Sequence, residues 1–208
     1  MVNSLKTDGA AAFFGGSFDP PHLGHVVLAR SVADALRLDR VVWMPTGNPN
    51  FKQDVKVTPA EMRLEMVELA CAEDPRFEAS AMEIEREGVT YTADTLAELK
   101  AAHPGAELLF IVGTDSAMHI MRWRRAEEVA ALCTVVAVVR KGFPADAVRA
   151  AHENSDIRFD LELLELDVPG ISSTEVRAAV AAGESISQLV PAGVERYIVE
   201  HGLYLEEG

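Results

Sequence analysis

The chain has only two cysteines in 208 residues, Cys71 and Cys133, with no CxxC or other metal-ligand spacing between them. That excludes a disulfide scaffold and a thiolate metal centre, and both read as buried thiols in apolar surroundings. Basic residues are also scarce, 19 Lys and Arg against 33 Asp and Glu, for a net charge of −14. A surface of that sign repels the phosphate backbone that a nucleic-acid-binding face must neutralise, so no nucleic-acid partner is expected. No apolar run approaches the ~20 residues of a membrane span, and no membrane partner is expected either. The short AAAFF run near the start is broken by Gly15 and lacks the length and flanks of a signal peptide. The expected localisation is cytoplasmic. Internal repeats, low-complexity tracts and Pro/Gly/Ser-rich linkers are missing too, and a hydrophobic content of 49% is enough for one sizeable core, so residues 1–208 are expected to form a single domain.

Two familiar phosphate motifs are absent as well. No GxxxxGK[ST] and no GxGxxG occurs near the start, which removes the signatures of P-loop NTPases and dinucleotide-binding dehydrogenases. What stands there instead is GGSFDPPHLGH, at 15–25. The apolar run before it reads as a first strand, Gly15 and Gly16 are expected to turn the backbone sharply, and Pro20 and Pro21 to set the φ of a helix start. A helix beginning near His22 then puts His22 and His25 on one face, beside an N-terminus carrying unpaired N–H groups and partial positive charge. Anions collect in such places.

A second site of this kind lies at ISSTEVR, 171–177. Ser172 and Glu175 form an S-x-x-E capping box, the alanine-rich run continues the helix and Gly183 ends it. Ser173 and Thr174 then occupy the first turn, with Arg177 one turn in. Either segment alone is compatible with an ordinary capped surface helix; two in one chain favour a polyphosphate site. Arg140 and Lys141, at a strand end, are candidates for extra positive potential or simply a solvated end.

Strands and helices alternate along the chain. Strands are expected near 10–15, 40–44, 77–84, 107–112, 133–139 and 157–166. Helices are expected at 22–37, 59–72, 92–102, 145–153, 173–182 and 191–200, with helical segments around 115–131. Such alternation predicts an α/β fold, a mainly parallel sheet with helices on both faces, whose ligands bind beyond the carboxyl ends of the strands. The turns after strands one, two and four carry the histidines, Lys52, and Gly113 with Asp115. All fall on that edge.

HxGH after a first strand, with a late ISSTxxR, resembles the nucleotidyltransferase superfamily of Rossmann-like fold. GVTYTADTLAEL at 88–99, FIVGTDS at 110–116 followed by Trp123, and VPAGVERYI at 190–198 make the chain similar to the bacterial nicotinate mononucleotide adenylyltransferases within it. Those enzymes usually show NPPHK in the loop after the second strand. Here it reads Asn48-Pro49-Asn50-Phe51-Lys52, without the histidine and with the lysine kept. The resemblance implies transfer of AMP from ATP to nicotinate mononucleotide, in NAD biosynthesis, with Mg²⁺ held mainly by the ATP phosphates and no protein metal site.

By the same resemblance His22, His25 and Arg177 are the catalytic groups and, with Ser173 and Thr174, hold the triphosphate. Gly15, Ser17 and Phe18 offer backbone donors to the reacting phosphates, and Gly113 and Asp115 lie at the nucleotide sugar. Lys52 sits near the mononucleotide phosphate, Trp123 stacks on the pyridine ring, and Tyr91 and Thr92 meet the nicotinate carboxylate. The attacking phosphate is already an anion, so no nucleophile-base pair is required, and none is evident. Phosphopantetheine adenylyltransferase and a non-catalytic ATP-binding homologue remain the alternatives, and a homo-oligomer stays open.

Overall fold

The computed structural model describes residues 11–47 and 57–205. A six-stranded sheet runs in the order β3-β2-β1-β4-β5-β6. Its strands are β1 (Ala11–Gly16), β2 (Val41–Pro45), β3 (Phe77–Ala79), β4 (Leu108–Gly113), β5 (Thr134–Arg140) and β6 (Asp160–Leu166). Every pairing is parallel. The central strands are buried on both faces, which is why β4 and β5 read as the nearly unbroken apolar runs LLFIV and VVAVV. Edge strand β6, DLELLEL, is only half-buried and keeps its carboxylates.

The period of two divides the side chains between two cores. Ala12, Phe14, Leu109, Ile111, Val136 and Val138 face one side, covered by α1 (Leu23–Leu36), α2 (Ala60–Cys71), α8 (Ser173–Ala181) and α9 (Ala192–Glu200). Phe13, Leu108, Phe110, Val112, Val135 and Ala137 face the other, covered by α4 (Thr92–Ala102), α5 (Thr114–His119), α6 (Ala126–Leu132) and α7 (Ala145–Glu153). The expected α/β class and parallel sheet are therefore present. Strand order reverses between β1 and β4, so the chain departs to opposite sides at their carboxyl ends and leaves a crevice there. Among the described residues no helix is long and apolar enough to cross a membrane.

Some local expectations fail for identifiable reasons. The strand expected over 77–84 ends at Ala79. Ser80 adds one more bond to the sheet, its N–H donating to Trp43 O at 2.9 Å, while its Oγ accepts from the Met82 N–H and starts the short helix α3 (Met82–Glu85). The helical segments expected around 115–131 are present as α5, a 3₁₀ turn over Ile120–Arg122 and α6, separated where Trp123 is extended and Arg125 adopts φ 59°.

Gly15 and Gly16 lie within β1 and have no positive φ; the left-handed residue of that turn is Phe18, at φ 47°. The glycines are needed for close approach, since a Cβ on Gly15 would stand 3.2 Å from the Phe110 ring and one on Gly16 3.0 Å from the Phe18 ring. Pro20 and Pro21 precede the helix cap instead of opening its first turn, and the Asp19–Pro20 bond is cis.

Candidate active site

The α1 terminus is capped by its own histidines. His22 is the N-cap, its Nδ1 accepting from the His25 N–H at 3.3 Å, while Nδ1 of His25 accepts from the His22 N–H at 3.2 Å. The rings stack at 3.6 Å between centroids, and a Cβ on the intervening Gly24 would meet His22 Nδ1 at 3.0 Å and Pro169 O at 3.3 Å. Because both Nδ1 atoms accept, each neutral imidazole carries its proton on Nε2.

Burial on the Phe14, Phe18 and Trp43 rings disfavours charge there, and Arg140 at the end of β5 disfavours it further. His22, 5% exposed, is lowered to about 4 by desolvation first and Arg140 second. His25 is lowered well below its ordinary value by desolvation, then by His22 and Arg140. The pair therefore supplies neutral N–H donors at pH 7. Nor are the first-turn amides all unpaired, since the Leu23 N–H donates to Leu189 O at 2.8 Å.

The ISST helix, α8, is capped as its sequence indicates. Ser172 Oγ accepts from the Glu175 N–H at 3.2 Å, and Glu175 Oε2 accepts from the Ser172 N–H at 3.4 Å. Two bonds across more than 150 residues bring it to the histidine turn: Ser173 Oγ donates to Pro20 O at 2.9 Å, and Arg177 Nη1 donates to Asp19 O at 2.6 Å. Ser173 has thus committed its hydroxyl proton to the turn. Arg177 Nη2 also donates to Thr174 Oγ1 at 3.3 Å. His22, His25, Ser173, Thr174 and Arg177 form one neighbourhood, with the Arg140 charge facing it.

On the other side of Gly15–Ser17 opens a cavity of ≈ 910 Å³. Gly15, Ser17, Tyr91, Thr92, Asp115 and Trp123, all expected site residues, line it, together with Thr46, Glu83, Phe110, His119, Arg122 and Arg124. Asp115, expected at the ATP sugar, thus shares a cavity with the residues expected at the pyridine. Tyr91 is the N-cap of α4 and Thr92 opens that helix. Trp123 and Phe110 form a T-shaped ring pair with centroids 6.1 Å apart, and the Arg124 guanidinium lies 5.1 Å over the Tyr91 ring.

Gly113 is the N-cap of α5 and does not line the cavity; the Phe18 side chain is core, 2% exposed. Residues 48–56, and Lys52 with them, lie outside the described residues. Among the described residues no three His, Cys, Asp or Glu side chains converge as a metal site. Both cysteines are buried and free, their thiols pushed up to about 12 chiefly by burial.

Three further residues support the site and were not among the expected site residues. Asp19, 5% exposed, accepts from Tyr204 Oη–H at 2.7 Å and from the Thr58 N–H at 3.4 Å. Glu83, its pKa raised by burial, accepts from Thr95 Oγ–H at 2.8 Å, and Arg86 donates to the same Thr95 oxygen at 2.8 Å. The third is Arg63, 1% exposed. Its signal was available, because it occupies the place on α2 where the buried stripe of Met66, Val67 and Ala70 calls for an apolar residue.

The sequence matches the cytidylyltransferase-like family over residues 13–179. It is 42% identical over 198 residues to a protein of Geobacillus thermodenitrificans named "probable nicotinate-nucleotide adenylyltransferase", covering 94% of this chain and 86% of that one. A Thermus thermophilus protein of the same name is 44% identical over 193 residues, covering 92% and 97%. Among solved structures, the Plasmodium falciparum nicotinic acid mononucleotide adenylyltransferase complexed with NaAD superposes with a TM-score of 0.77 at 19% identity, over 94% of this chain and 97% of that one, a likeness of fold.

Proposed function

We infer, for a chain that belongs to the cytidylyltransferase-like family and within it to the nicotinate-nucleotide adenylyltransferases, that it transfers AMP from ATP to nicotinate mononucleotide. The products are pyrophosphate and the deamido dinucleotide. The observation that carries the assignment of parts is the meeting of two differently built sites at the Gly15–Ser17 turn: two capped helix starts tied by Arg177 and Ser173 on one side, and an aromatic-lined cavity on the other.

A phosphate oxygen of the mononucleotide attacks the α-phosphorus of ATP. The new P–O bond forms as the bond to the β-phosphate oxygen breaks, and pyrophosphate leaves with that electron pair. No proton need be removed from the attacking group, so the residues act by positioning and charge stabilisation. Nε2–H of His22 and His25 donates to the triphosphate, with their Nδ1 atoms engaged in the cap. Arg177 and Arg140 supply the fixed positive charge. Thr174 holds the triphosphate with its hydroxyl and Ser173, whose own hydroxyl is bound to Pro20 O, with its backbone N–H at the start of α8. Gly15, Ser17 and Phe18 line the reacting phosphates with backbone donors, while Gly113 and Asp115 hold a nucleotide sugar. Mg²⁺ would come with ATP, held by phosphate oxygens and not by protein side chains, and would supply positive charge that offsets charge on the leaving pyrophosphate.

In the cavity Trp123 stacks on the pyridine, and the amides at the start of α4 meet the nicotinate carboxylate, aided by the dipole of an eleven-residue helix. Lys52 holds the mononucleotide phosphate. One domain carries all these groups.

Pyrophosphate release tests the reading, with MgATP and, in parallel, nicotinate mononucleotide, nicotinamide mononucleotide or phosphopantetheine. Release should be strongest with the nicotinate substrate and absent with ATP alone. Release from none of the three would leave an ATP-binding protein without transferase activity.

A further inference from the structure

The Arg63 guanidinium donates to three backbone carbonyls in three segments: Nε to Thr58 O at 2.9 Å, Nη1 to Ser17 O at 2.8 Å and Nη2 to Gly47 O at 3.0 Å. Desolvation pulls its pKa down, opposed by the charges of Asp19, Tyr204, Glu61 and Glu83. Packing α2 on the sheet gives no reason for this choice, because an apolar residue of similar volume often does as well as a buried ion.

The acceptors give the reason. Ser17 lines the cavity and follows the Gly15–Gly16 strand end. Gly47 follows Thr46, whose N–H and Oγ–H both donate to Gly16 O, at 2.9 and 3.1 Å, and Gly47 is pressed so close to α3 that a Cβ there would come within 2.0 Å of Glu83 O. Thr58 donates its N–H to the Asp19 carboxylate, and the Asp19 carbonyl receives Arg177. Arg63 therefore grips the joint between the triphosphate side and the cavity side.

We propose that Arg63 is a positioning residue for AMP transfer: by fixing the Ser17 turn against Thr46–Gly47 and Thr58 it sets the approach of the two reacting phosphates without touching either substrate. This rests on the reading above, in which the phosphates meet at Gly15–Ser17. A planar fork with donors on three nitrogens can hold three diverging carbonyls; the single-point ammonium of lysine cannot.

The test uses the full chain with R63K and the uncharged R63M. Folded sites are counted by titration with α,β-methylene ATP, and pyrophosphate release is measured with MgATP and nicotinate mononucleotide. In both variants kcat per folded site should fall about 10²-fold, as a misplacement of about 1 Å costs. The analogue Kd and the KM for ATP should move less than about threefold, the pattern of an interaction felt in the transition state. A merely structural role would lower Tm and the number of binding sites and leave kcat per site alone, and kcat within about threefold of the parent in R63K overturns the proposal. So does failure of both variants to fold into analogue-binding protein, which would make Arg63 a stability residue. A parent chain that itself releases no pyrophosphate overturns instead the reading on which this rests.

Discussion

At the end proposed for the triphosphate, the groups that hold one another are three residues apart, His22 with His25 and Ser172 with Glu175, and only then are the two helix starts tied together by Ser173 and Arg177. At the end proposed for the pyridine, Thr46, Glu83, Tyr91, Phe110 and Trp123 come from five segments that the sheet and its crossovers bring to one cavity. The first side is assembled from self-sufficient local motifs, the second from long-range packing. Polyphosphate is bound by donors that any capped helix start can fix, whereas a flat heterocycle needs walls, and walls come from tertiary structure. The two should therefore respond to mutation separately, with the Gly15–Ser17 turn as their common element.

The largest effect is expected from His25→Ala. Losing one preorganised donor should cost about 2–4 kcal/mol of transition-state stabilisation, read as a fall in kcat per folded enzyme in the pyrophosphate assay. The KM for nicotinate mononucleotide should hardly move. A rise in that KM as large as the fall in kcat would mean that the two sides are one.

Next in size is a pH effect confined to the histidine side. With the folded pKa of His22 about 4 and an ordinary value near 6.5, the unfolded chain takes up a proton first as pH falls below 6.5, so stability drops through that window and levels off near 4. The full loss from His22 is on the order of 3 kcal/mol, and His25 adds to it in the same direction. Urea unfolding at pH 7 and pH 4.5 should show a smaller loss in His22→Asn, which keeps a good N-cap but cannot titrate. An equal loss in parent and variant would mean that His22 is not held neutral.

The same contrast governs what could be read from the sequence. The alternation of strands and helices that predicts the parallel sheet, the two helix starts at 22 and 172 and the α8 capping box are legible because each depends on residues close in sequence; α4 and α7 run over the predicted spans. The strand over 77–84 was misread because MEIE alternates as a strand does, while Ser80 turns it into a helix start and buries Glu83 at the cavity. Gly15 and Gly16 do not turn the backbone through a positive φ; a Cβ on either would crowd a ring, and the Phe110 ring beside Gly15 comes into view only once β1 is paired with β4. That the histidine pair is held neutral could not be read from the sequence, because Trp43 and Arg140 reach it from β2 and β5.

On the cavity side, Trp123→Ala should raise the KM for nicotinate mononucleotide by about tenfold, the worth of one stacking contact, and lower kcat much less. The KM for ATP should stay within about threefold of the parent. A fall in kcat matching that of His25→Ala, at unchanged KM, would place Trp123 with the reacting phosphates and collapse the distinction between the two sides.

The smallest effect tests whether the triphosphate side is local all the way down. Ser172 Oγ accepts from the Glu175 N–H and touches nothing on the histidine turn, in contrast to Ser173 beside it, whose Oγ donates to Pro20 O. Ser172→Ala should therefore cost about 1 kcal/mol in urea unfolding, the ordinary worth of an N-cap. Ser173→Ala should cost a similar amount and also raise the KM for ATP, because it loosens the tie between the two helix starts. If Ser172→Ala raised that KM as much as Ser173→Ala, the cap itself would be setting the phosphate geometry, and the bond to Pro20 would be incidental to it.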